Sequence, residues 1–463
     1  MCFWNESTSK RSYMLFNSPI FIFLFLPVVF ILHCLVKKKV RNILLLFSSL
    51  YFYAWGEPRA VFLMILSILF NWKIGKIIRK SSGQKKRAVL IAGIVCDLGM
   101  LGYYKYFGAL VEIALPIGIS FFTFQAISYI IDVYRGETEA ASSLVNVALY
   151  ISFFPQLIAG PIVKYRDIDS QIREREISAE GVADGFKRFV YGLAKKVLLA
   201  NILGLCADTI YGYQVTAVDG IMAWVGALAY GFQIYYDFSG YSDMAIGLGA
   251  MFGFTIPENF RYPYLSKSVS EFWRRWHISL GSWFREYVYI PLGGSRKGRN
   301  RTYWNLVVVF FLTGLWHGAR YTFVLWGLYH CAFILLEKAG LQKWLDKSKV
   351  LAVGYCFAVV NFGWVIFRED SIRNALQYML RMIIPWRYLD IVVQPWNYMD
   401  RKTLFIGVCA VAGAGILKRI VPVQIVEKWK NSIVEALYII MLLVLSLASI
   451  ASDTYNPFIY FQF

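Results

Sequence analysis

Long uncharged apolar runs recur along this 463-residue chain, and they constrain its fold more than any other feature. About 20 apolar residues in a helix cross the ~30 Å hydrocarbon core of a bilayer, where the backbone must satisfy its own hydrogen bonds. The sequence therefore predicts an all-α, polytopic integral membrane protein with roughly 10–12 membrane helices in a single membrane-embedded domain, 1–463. The candidate spans are 19–36, 42–56, 60–78, 88–107, 116–134, 143–163, 220–250, 303–318, 320–337, 350–367, 403–421 and 433–452.

The composition excludes a soluble domain, because 58% of the residues are hydrophobic and only 17% are charged. A soluble fold must expose more polar surface than this chain supplies. The first apolar run, Pro19 to Val36, follows Lys10 and Arg11 but lacks a small-residue cleavage site. It predicts a first membrane helix rather than a cleaved signal peptide.

The net charge of +19 is explained by membrane topology rather than by nucleic acid. Lys and Arg concentrate in short loops, as the positive-inside rule expects on the cytoplasmic side of a cell (inner) membrane. With these loops inside, the N-terminus and the tail after the last span are both extracytoplasmic. The seven cysteines are scattered, which predicts neither a metal site nor a disulfide framework. The basic loops lie at 37–41, 73–87, 164–196, 261–301 and 418–430.

Two segments predict irregular, re-entrant backbone at membrane depth. Residues 115–118 and 154–161 combine Pro and Gly with apolar flanks. Lipid cannot satisfy the backbone groups that such breaks release, so the breaks must face protein or a water-filled cavity. An ordinary kinked helix is the alternative.

His317 is the strongest candidate for chemistry from the residues alone. It lies in an apolar region running from about Tyr303 to Leu336, between Gly314 and Gly318. An ionisable residue inside a membrane segment is costly and often functional, and a neutral imidazole suits a general base. The glycines allow a close backbone approach or a helix break beside the ring. A histidine that only hydrogen-bonds between helices is the alternative.

His277 is predicted to lie on an amphipathic helix, either at the cytoplasmic interface or turned inward. Ser268 and Glu271 form a capping-box pattern, so a helix is expected to start at Ser268. His277 falls at the edge of its apolar face, where either a snorkelling polar residue or a functional group is possible. The apolar face comprises Val269, Phe272, Trp273, Trp276, Leu280, Trp283, Phe284 and Tyr287.

Asp237 and Asp243 are acids that lie among aromatic residues and are expected to be buried. They could orient a histidine or form a purely structural hydrogen-bond network. No nucleophile elbow, phosphate-binding loop or dinucleotide-binding turn is present in the sequence.

The chain resembles the membrane-bound O-acyltransferase (MBOAT) family, in its bacterial alginate and peptidoglycan O-acetyltransferase branch. The resemblance covers nearly everything from Met14 onward, with residues 1–13 as an extension of the usual start. It depends most on FWRRWHISLGSWFREYVYIPLGG at 272–294, TGLWHGA at 313–319 and NPFIYFQF at 456–463. Supporting segments are 115–136, 150–165, 236–249 and 257–266.

The resemblance implies roles for particular residues. His317, in the WHG segment, is the expected catalytic histidine, and His277 is its accessory. Trp316, Asp237 and Asp243 are expected to support them. The aromatic tail at 456–463 is similar to a motif in which a tyrosine relays an acyl group, which here is Tyr460. Interfacial anchoring is the alternative for this tail, because Tyr and Phe favour the headgroup zone.

Together these features predict an O-acyltransferase with no bound cofactor. Acetyl-CoA or another cytoplasmic acyl thioester is the expected donor, and its phosphates suit the guanidinium groups of Arg274, Arg275 and Arg285. The resemblance implies an extracytoplasmic polysaccharide acceptor and an SGNH-type (esterase-like) partner. D-alanyl transfer from a carrier protein to teichoic acid is an alternative. A polysaccharide or lipid transporter is another, although the sequence shows no internal repeat.

Overall fold

A computed structural model describes residues 13–111, 113–389, 393–452 and 455–457, and this part of the chain is helical, without β-strands. In the first half the helices are α1 Leu26–Leu35, α2 Lys38–Gly56, α3 Ala60–Lys80, α4 Gly83–Gly102, α5 Gly108–Leu110, α6 Ile119–Arg135, α7 Leu144–Ser152, α8 Phe154–Leu157, α9 Tyr165–Arg173, α10 Ala179–Ala194 and α11 Asn201–Tyr211. In the second half they are α12 Gly220–Met251, α13 Val269–Arg275, α14 Ile278–Phe284, α15 Arg299–His317, α16 Tyr321–Leu336, α17 Gln342–Leu345, α18 Lys349–Arg368, α19 Ile372–Ile383, α20 Arg401–Val411, α21 Leu417–Ile420, α22 Val423–Trp429 and α23 Ile433–Ser452.

Within the described residues, seven helical stretches are long and apolar enough to cross a membrane, so the chain is a multi-pass membrane protein. The stretch Ala179–Tyr211 is not among the predicted spans, because the sequence analysis assigns its first part to the basic loop 164–196, and the structure corrects that assignment. The remaining predicted spans are helical over most of their length, although α6 is only 17 residues long and α2 begins with charged residues. The exception is 143–163, which is helical only at Leu144–Ser152 and Phe154–Leu157. The seven stretches are Ala60–Lys80, Gly83–Leu110, Ala179–Tyr211, Tyr321–Leu345, Lys349–Arg368, Arg401–Ile420 and Ile433–Ser452.

The described residues cluster into two compact units. The first contains the chain up to Phe189 together with Asp243–Pro257. The second contains Val190–Ser242 and the chain from Glu258 onward.

The predicted irregular backbone is confirmed in the first unit, where it faces protein. Gly118 has φ 73° before α6, and a methyl group there would lie 2.6 Å from the carbonyl oxygen of Leu157. Tyr53 donates a hydrogen bond to the carbonyl of Ile117 at 2.9 Å. The Phe154 N–H donates to Ser49 Oγ at 3.1 Å. Protein groups therefore satisfy backbone that lipid could not.

The second unit has an aromatic core. Tyr264 donates to the carbonyl of Gly231 at 2.5 Å and accepts from Trp364 Nε1 at 3.1 Å, so the polar ends of these two buried rings are paired. Its largest buried rings include Tyr230, Tyr236, Phe272, Trp276, Phe323, Trp326 and Phe367.

Helices α15 and α16 form a close pair in this unit because glycines face the partner backbone. A methyl group at Gly327 would collide with the carbonyl oxygen of Phe310. One at Gly314 would lie 2.6 Å from the carbonyl oxygen of Phe323. Small residues at such contacts let membrane helices approach closely. The pairing fixes the end of α15, where His317 lies.

Gly327→Ala tests this contact. Overpacking costs about 1–3 kcal/mol, so we expect a lower melting temperature for the detergent-solubilised protein and reduced acyl transfer. Gly354→Ala is the matched control, because a methyl group there meets nothing within 4 Å. Equal melting temperatures for the two variants would show that α15 and α16 can move apart without loss of stability, which would contradict the expectation.

Candidate active site

His317 lies at the last position of α15 in a box of aromatic rings. Its ring centroid is 5.1 Å from that of Trp326 and 5.0 Å from that of Phe367, both close to perpendicular. Trp316 is 4.7 Å away on another side. The imidazole is 8% exposed. Edge-to-face contacts of this kind orient a ring, and the aromatic walls exclude water from it.

His277 lies at a break between α13 and α14, so the predicted continuous helix is wrong. Ser268 caps α13 as predicted, accepting from the Glu271 N–H at 3.0 Å. The helix ends at Arg275, Trp276 is extended, and His277 adopts φ 45° and ψ 53°. The predicted apolar face is largely buried and His277 is only 3% exposed, which agrees with the inward-turned alternative.

The break is stabilised by a separate segment of the chain that begins at Asn259. The N–H of Ile278 donates to the carbonyl of Asn259 at 3.0 Å. The N–H of Arg261 donates to the carbonyl of Arg275 at 2.9 Å. Both hydrogen bonds use backbone groups that a continuous helix would have used internally. A left-handed non-glycine residue is sparsely populated and persists where the surroundings hold it, often at functional sites.

Asn259 also determines the tautomer of His277. The backbone N–H of Ser279 can only donate, so the side-chain atom of Asn259 that it contacts at 3.2 Å is the oxygen. His277 Nδ1 lies 3.1 Å from this oxygen and therefore donates to it. Burial lowers the pKa of the His277 imidazole to about 3, so the ring is neutral. In a neutral ring protonated at Nδ1, Nε2 keeps the lone pair.

The Trp316 ring lies near the rings of both histidines. Its ring centroid lies 6.2 Å from that of His277, and its neighbour in sequence is His317. Phe238 packs perpendicular to His277 at 4.6 Å. The structure therefore brings together three residues that the sequence proposed as site residues, His277, Trp316 and His317.

The two candidate acids lie in different surroundings. Asp237 is buried in an ion pair with Lys196, at 2.5 Å, in the second unit. Asp243 belongs to the first unit and accepts two hydrogen bonds from Arg188, at 3.1 and 2.8 Å. Each acid thus has a cationic partner that the sequence analysis did not identify.

The candidate donor-binding arginines also differ. Arg274 and Arg285 are exposed. Arg275 is paired with Glu271 at 2.5 Å, one helical turn away. Tyr460, the predicted relay, lies outside the described residues.

Comparisons with known proteins give the family. The family model for MBOAT, the membrane-bound O-acyltransferase family, matches residues 137–367, which include Asn259, His277 and His317. A probable alginate O-acetylase of Pseudomonas putida is 39% identical over 488 residues, covering 97% of this chain and 100% of the relative. The chain belongs to the membrane-bound O-acyltransferase family. It is therefore an enzyme, and the transporter alternative falls.

Other relatives carry different printed activities. A peptidoglycan O-acetyltransferase of Helicobacter pylori is 36% identical over 422 residues, covering 80% of each chain. A teichoic acid D-alanyltransferase of Bacillus subtilis is 30% identical over 269 residues, covering 54% of this chain and 68% of the relative.

Asn259→Leu tests the positioning of His277 in this acyltransferase. Losing the acceptor frees the imidazole to rotate and leaves the Ser279 N–H unpaired, at a cost of roughly 1–3 kcal/mol. We expect acyl transfer to fall about tenfold, the equivalent of roughly 1.4 kcal/mol in the barrier.

Ser242→Ala is the matched control for Asn259→Leu. Ser242 Oγ accepts from Asn259 Nδ2 at 3.0 Å, so this variant removes a buried hydrogen bond without touching His277. Both variants should have a lower melting temperature than the wild type. Only Asn259→Leu should have a lower rate of acyl transfer per molecule of folded enzyme. Equal specific rates in the two variants would assign Asn259 a structural role alone.

Proposed function

We propose that this enzyme transfers an acetyl group from a cytoplasmic thioester to a hydroxyl, for O-acetylation of an extracytoplasmic polysaccharide. The observation that carries the proposal is that His317, at the end of α15, is held by aromatic rings that include Trp316, and that a second, neutral histidine, His277, lies near the same Trp316 ring. The more extensive similarity to proteins named as O-acetylases supports acetate as the acyl group.

His317 acts as the general base in this proposal. The acceptor oxygen attacks the thioester carbonyl carbon while the imidazole takes the hydroxyl proton. The C–S bond then breaks, and the imidazolium returns the proton to the leaving thiolate. General-base catalysis of this kind accelerates a reaction by roughly 10²–10⁴-fold. The aromatic rings around His317 limit the access of water to the thioester.

His277 has a supporting role. Its neutral ring is held by Asn259 with the Nε2 lone pair available, and Trp316 separates it from His317. We propose that it positions the acceptor or the acyl carbonyl, rather than taking the first proton.

The donor is proposed to be acetyl-CoA, which approaches from the cytoplasm. The exposed guanidinium groups of Arg274 and Arg285 suit its phosphates. A basic surface suits an acidic carrier protein equally well, and one relative is named for D-alanyl transfer. Purified protein supplied with acetyl-CoA or with a D-alanyl carrier distinguishes these donors by which thioester it consumes.

The acceptor side is proposed to face outward from the inner membrane, with the N-terminus and the tail extracytoplasmic. Tyr460 would receive the acetyl group and present the ester to an SGNH-type partner that acylates the polymer. A phenol, with a pKa near ~10, is easier to deprotonate than a sugar hydroxyl, and its ester is a better acyl donor.

His317→Ala is expected to abolish acyl transfer while expression and membrane insertion stay normal. His277→Ala should lower the rate without eliminating it, because its role is supportive. The measurements are thioester hydrolysis by purified protein and acetylation of the polymer in cells. Substantial polymer acetylation by the His317→Ala variant would show that another group is the base.

Tyr460→Phe removes the phenol and keeps an aromatic ring for anchoring. If Tyr460 relays the acyl group, polymer acetylation is lost in a normally inserted protein. Wild-type acetylation would leave only the anchoring role.

A further inference from the structure

Three consecutive residues near the end of the chain contact one continuous helix. Tyr455 donates to Asp208 at 2.5 Å, and Asn201 Nδ2 donates to Asn456 Oδ1 at 3.4 Å. Lys196 Nζ donates to the carbonyl oxygen of Pro457. Through these contacts, residues 455–457 lie along the helical stretch Ala179–Tyr211, which is long and apolar enough to cross a membrane.

The three contacted side chains lie on one stripe of that helix, here called the docking stripe: Lys196, Asn201 and Asp208. Seven residues, or two turns, separate the last two. The first two lie five residues apart across a wider π-helical turn, Lys195–Ala200, whose i→i+5 hydrogen bonds bring residue i+5 nearer to the face of residue i than in an α-helix. Such turns often mark functional positions in helices. The π-helical turn therefore aligns Lys196 with the other two side chains.

Lys196 is a costly residue to place inside a membrane helix. Its ammonium group and the Asp237 carboxylate are 2% and 3% exposed, at 2.5 Å from each other. Intramembrane charges usually mark a functional site, and a buried ion pair needs further hydrogen bonds to offset desolvation. The ammonium group has three donors, and the Pro457 carbonyl takes one of them.

Asp208 anchors the other end of the docked segment. Its carboxylate accepts from Tyr455 and from Arg368, at 2.5 Å in each case. The Arg368 guanidinium carbon lies 5.6 and 5.3 Å from the ring centroids of Tyr211 and Tyr230. This cation–π packing holds the acid–base pair in place.

Both anchors adjoin the walls of the candidate active site. Asp237 precedes Phe238, whose ring packs on His277 at 4.6 Å. Arg368 follows Phe367, whose ring packs on His317 at 5.0 Å. Adjacent Cα atoms are only about 3.8 Å apart. The segment 455–457 is thus held beside backbone that carries a wall of each histidine.

We propose that the docking stripe is a binding site for the chain's own C-terminal segment and sets where the tail meets the acyl-transfer site. Tyr460 is three residues beyond Pro457, so its Cα can lie no further than about 11 Å from that of Pro457. The stripe thereby determines which tail residue can reach the acyl group. This inference deepens the proposed function and depends on it for the chemistry, but not for the docking.

The test replaces both members of the buried ion pair, Lys196→Met with Asp237→Asn. A single replacement would leave an unpaired buried charge and could prevent folding, whereas removing both charges avoids that penalty. The matched control is Lys187→Met with Asp184→Asn, the same change at a 3.5 Å ion pair on the same helix. Tyr455→Phe is a milder variant, which removes only the hydroxyl that Asp208 accepts from.

Two readouts separate docking from chemistry. Docking is followed by the rate at which a maleimide labels a cysteine introduced by Pro457→Cys, located by peptide mass spectrometry. Chemistry is followed by the ratio of polymer acetylation in cells to acetyl-CoA hydrolysis by the purified protein. The Lys196/Asp237 variant should label at least tenfold faster and show a ratio at least tenfold lower, while the control pair changes neither value. Tyr455→Phe should lower the ratio several-fold.

The outcomes are distinguishable. Unchanged labelling and an unchanged ratio in the Lys196/Asp237 variant would overturn the docking stripe. Faster labelling with an unchanged ratio would overturn its role in transfer. A wild-type protein that consumes no acetyl-CoA would refute the proposed donor, while the labelling rates would still report on docking.

Discussion

The absence of water in a membrane interior requires every polar group of this enzyme to find its partner within the protein. In the second unit, backbone groups as well as side chains provide such partners. Gly327 lets α16 approach the backbone of α15, and α15 ends at His317. Asn259 uses its backbone and side-chain oxygens to stabilise the break between α13 and α14. The break places the His277 ring near Trp316 in the candidate active site. The orientation of both imidazoles therefore depends on contacts between segments distant in sequence.

Most of the helices were predictable from sequence because apolar runs of bilayer length leave the backbone few alternatives. The helical stretch Ala179–Tyr211 was not predicted, because its lysines and arginines led to its assignment to a basic loop. The irregular segments near Gly118 and Pro155 were predictable for the same reason, since Pro and Gly in apolar surroundings require protein partners. The break at His277 was not predictable. The apolar spacing from Val269 to Tyr287 is compatible with one continuous helix, and the side chains on that face are indeed mostly buried. The hydrogen bonds that favour the break come from Asn259 and Arg261, which helical periodicity does not reveal.

The candidate site shows a similar division. Composition and spacing identified His317 and His277 as candidates, and the resemblance to the family favoured a functional role for both. Neither indicated Asn259, whose role follows from an oxygen shared by Ser279 and His277. Asp237 was a candidate either to orient a histidine or to belong to a purely structural hydrogen-bond network. Its partner is Lys196, and only its neighbour Phe238 touches His277. The apolar residues around an acid in the sequence indicate that the acid is buried. Which cation forms an ion pair with it depends on tertiary packing.

The buried ion pair between Lys196 and Asp237 has a consequence for how such an enzyme can work across a membrane. Two charges that needed only each other could be replaced by apolar residues of similar volume at little cost or even a gain in stability. Here the ammonium group also holds the carbonyl of Pro457, and Asp208 holds Tyr455 together with Arg368. A polar tail segment is thereby stabilised against helices that would otherwise offer it only apolar surface. The residues that hold the tail segment are adjacent in sequence to Phe238 and Phe367, so tail docking and one wall of each histidine depend on the same backbone.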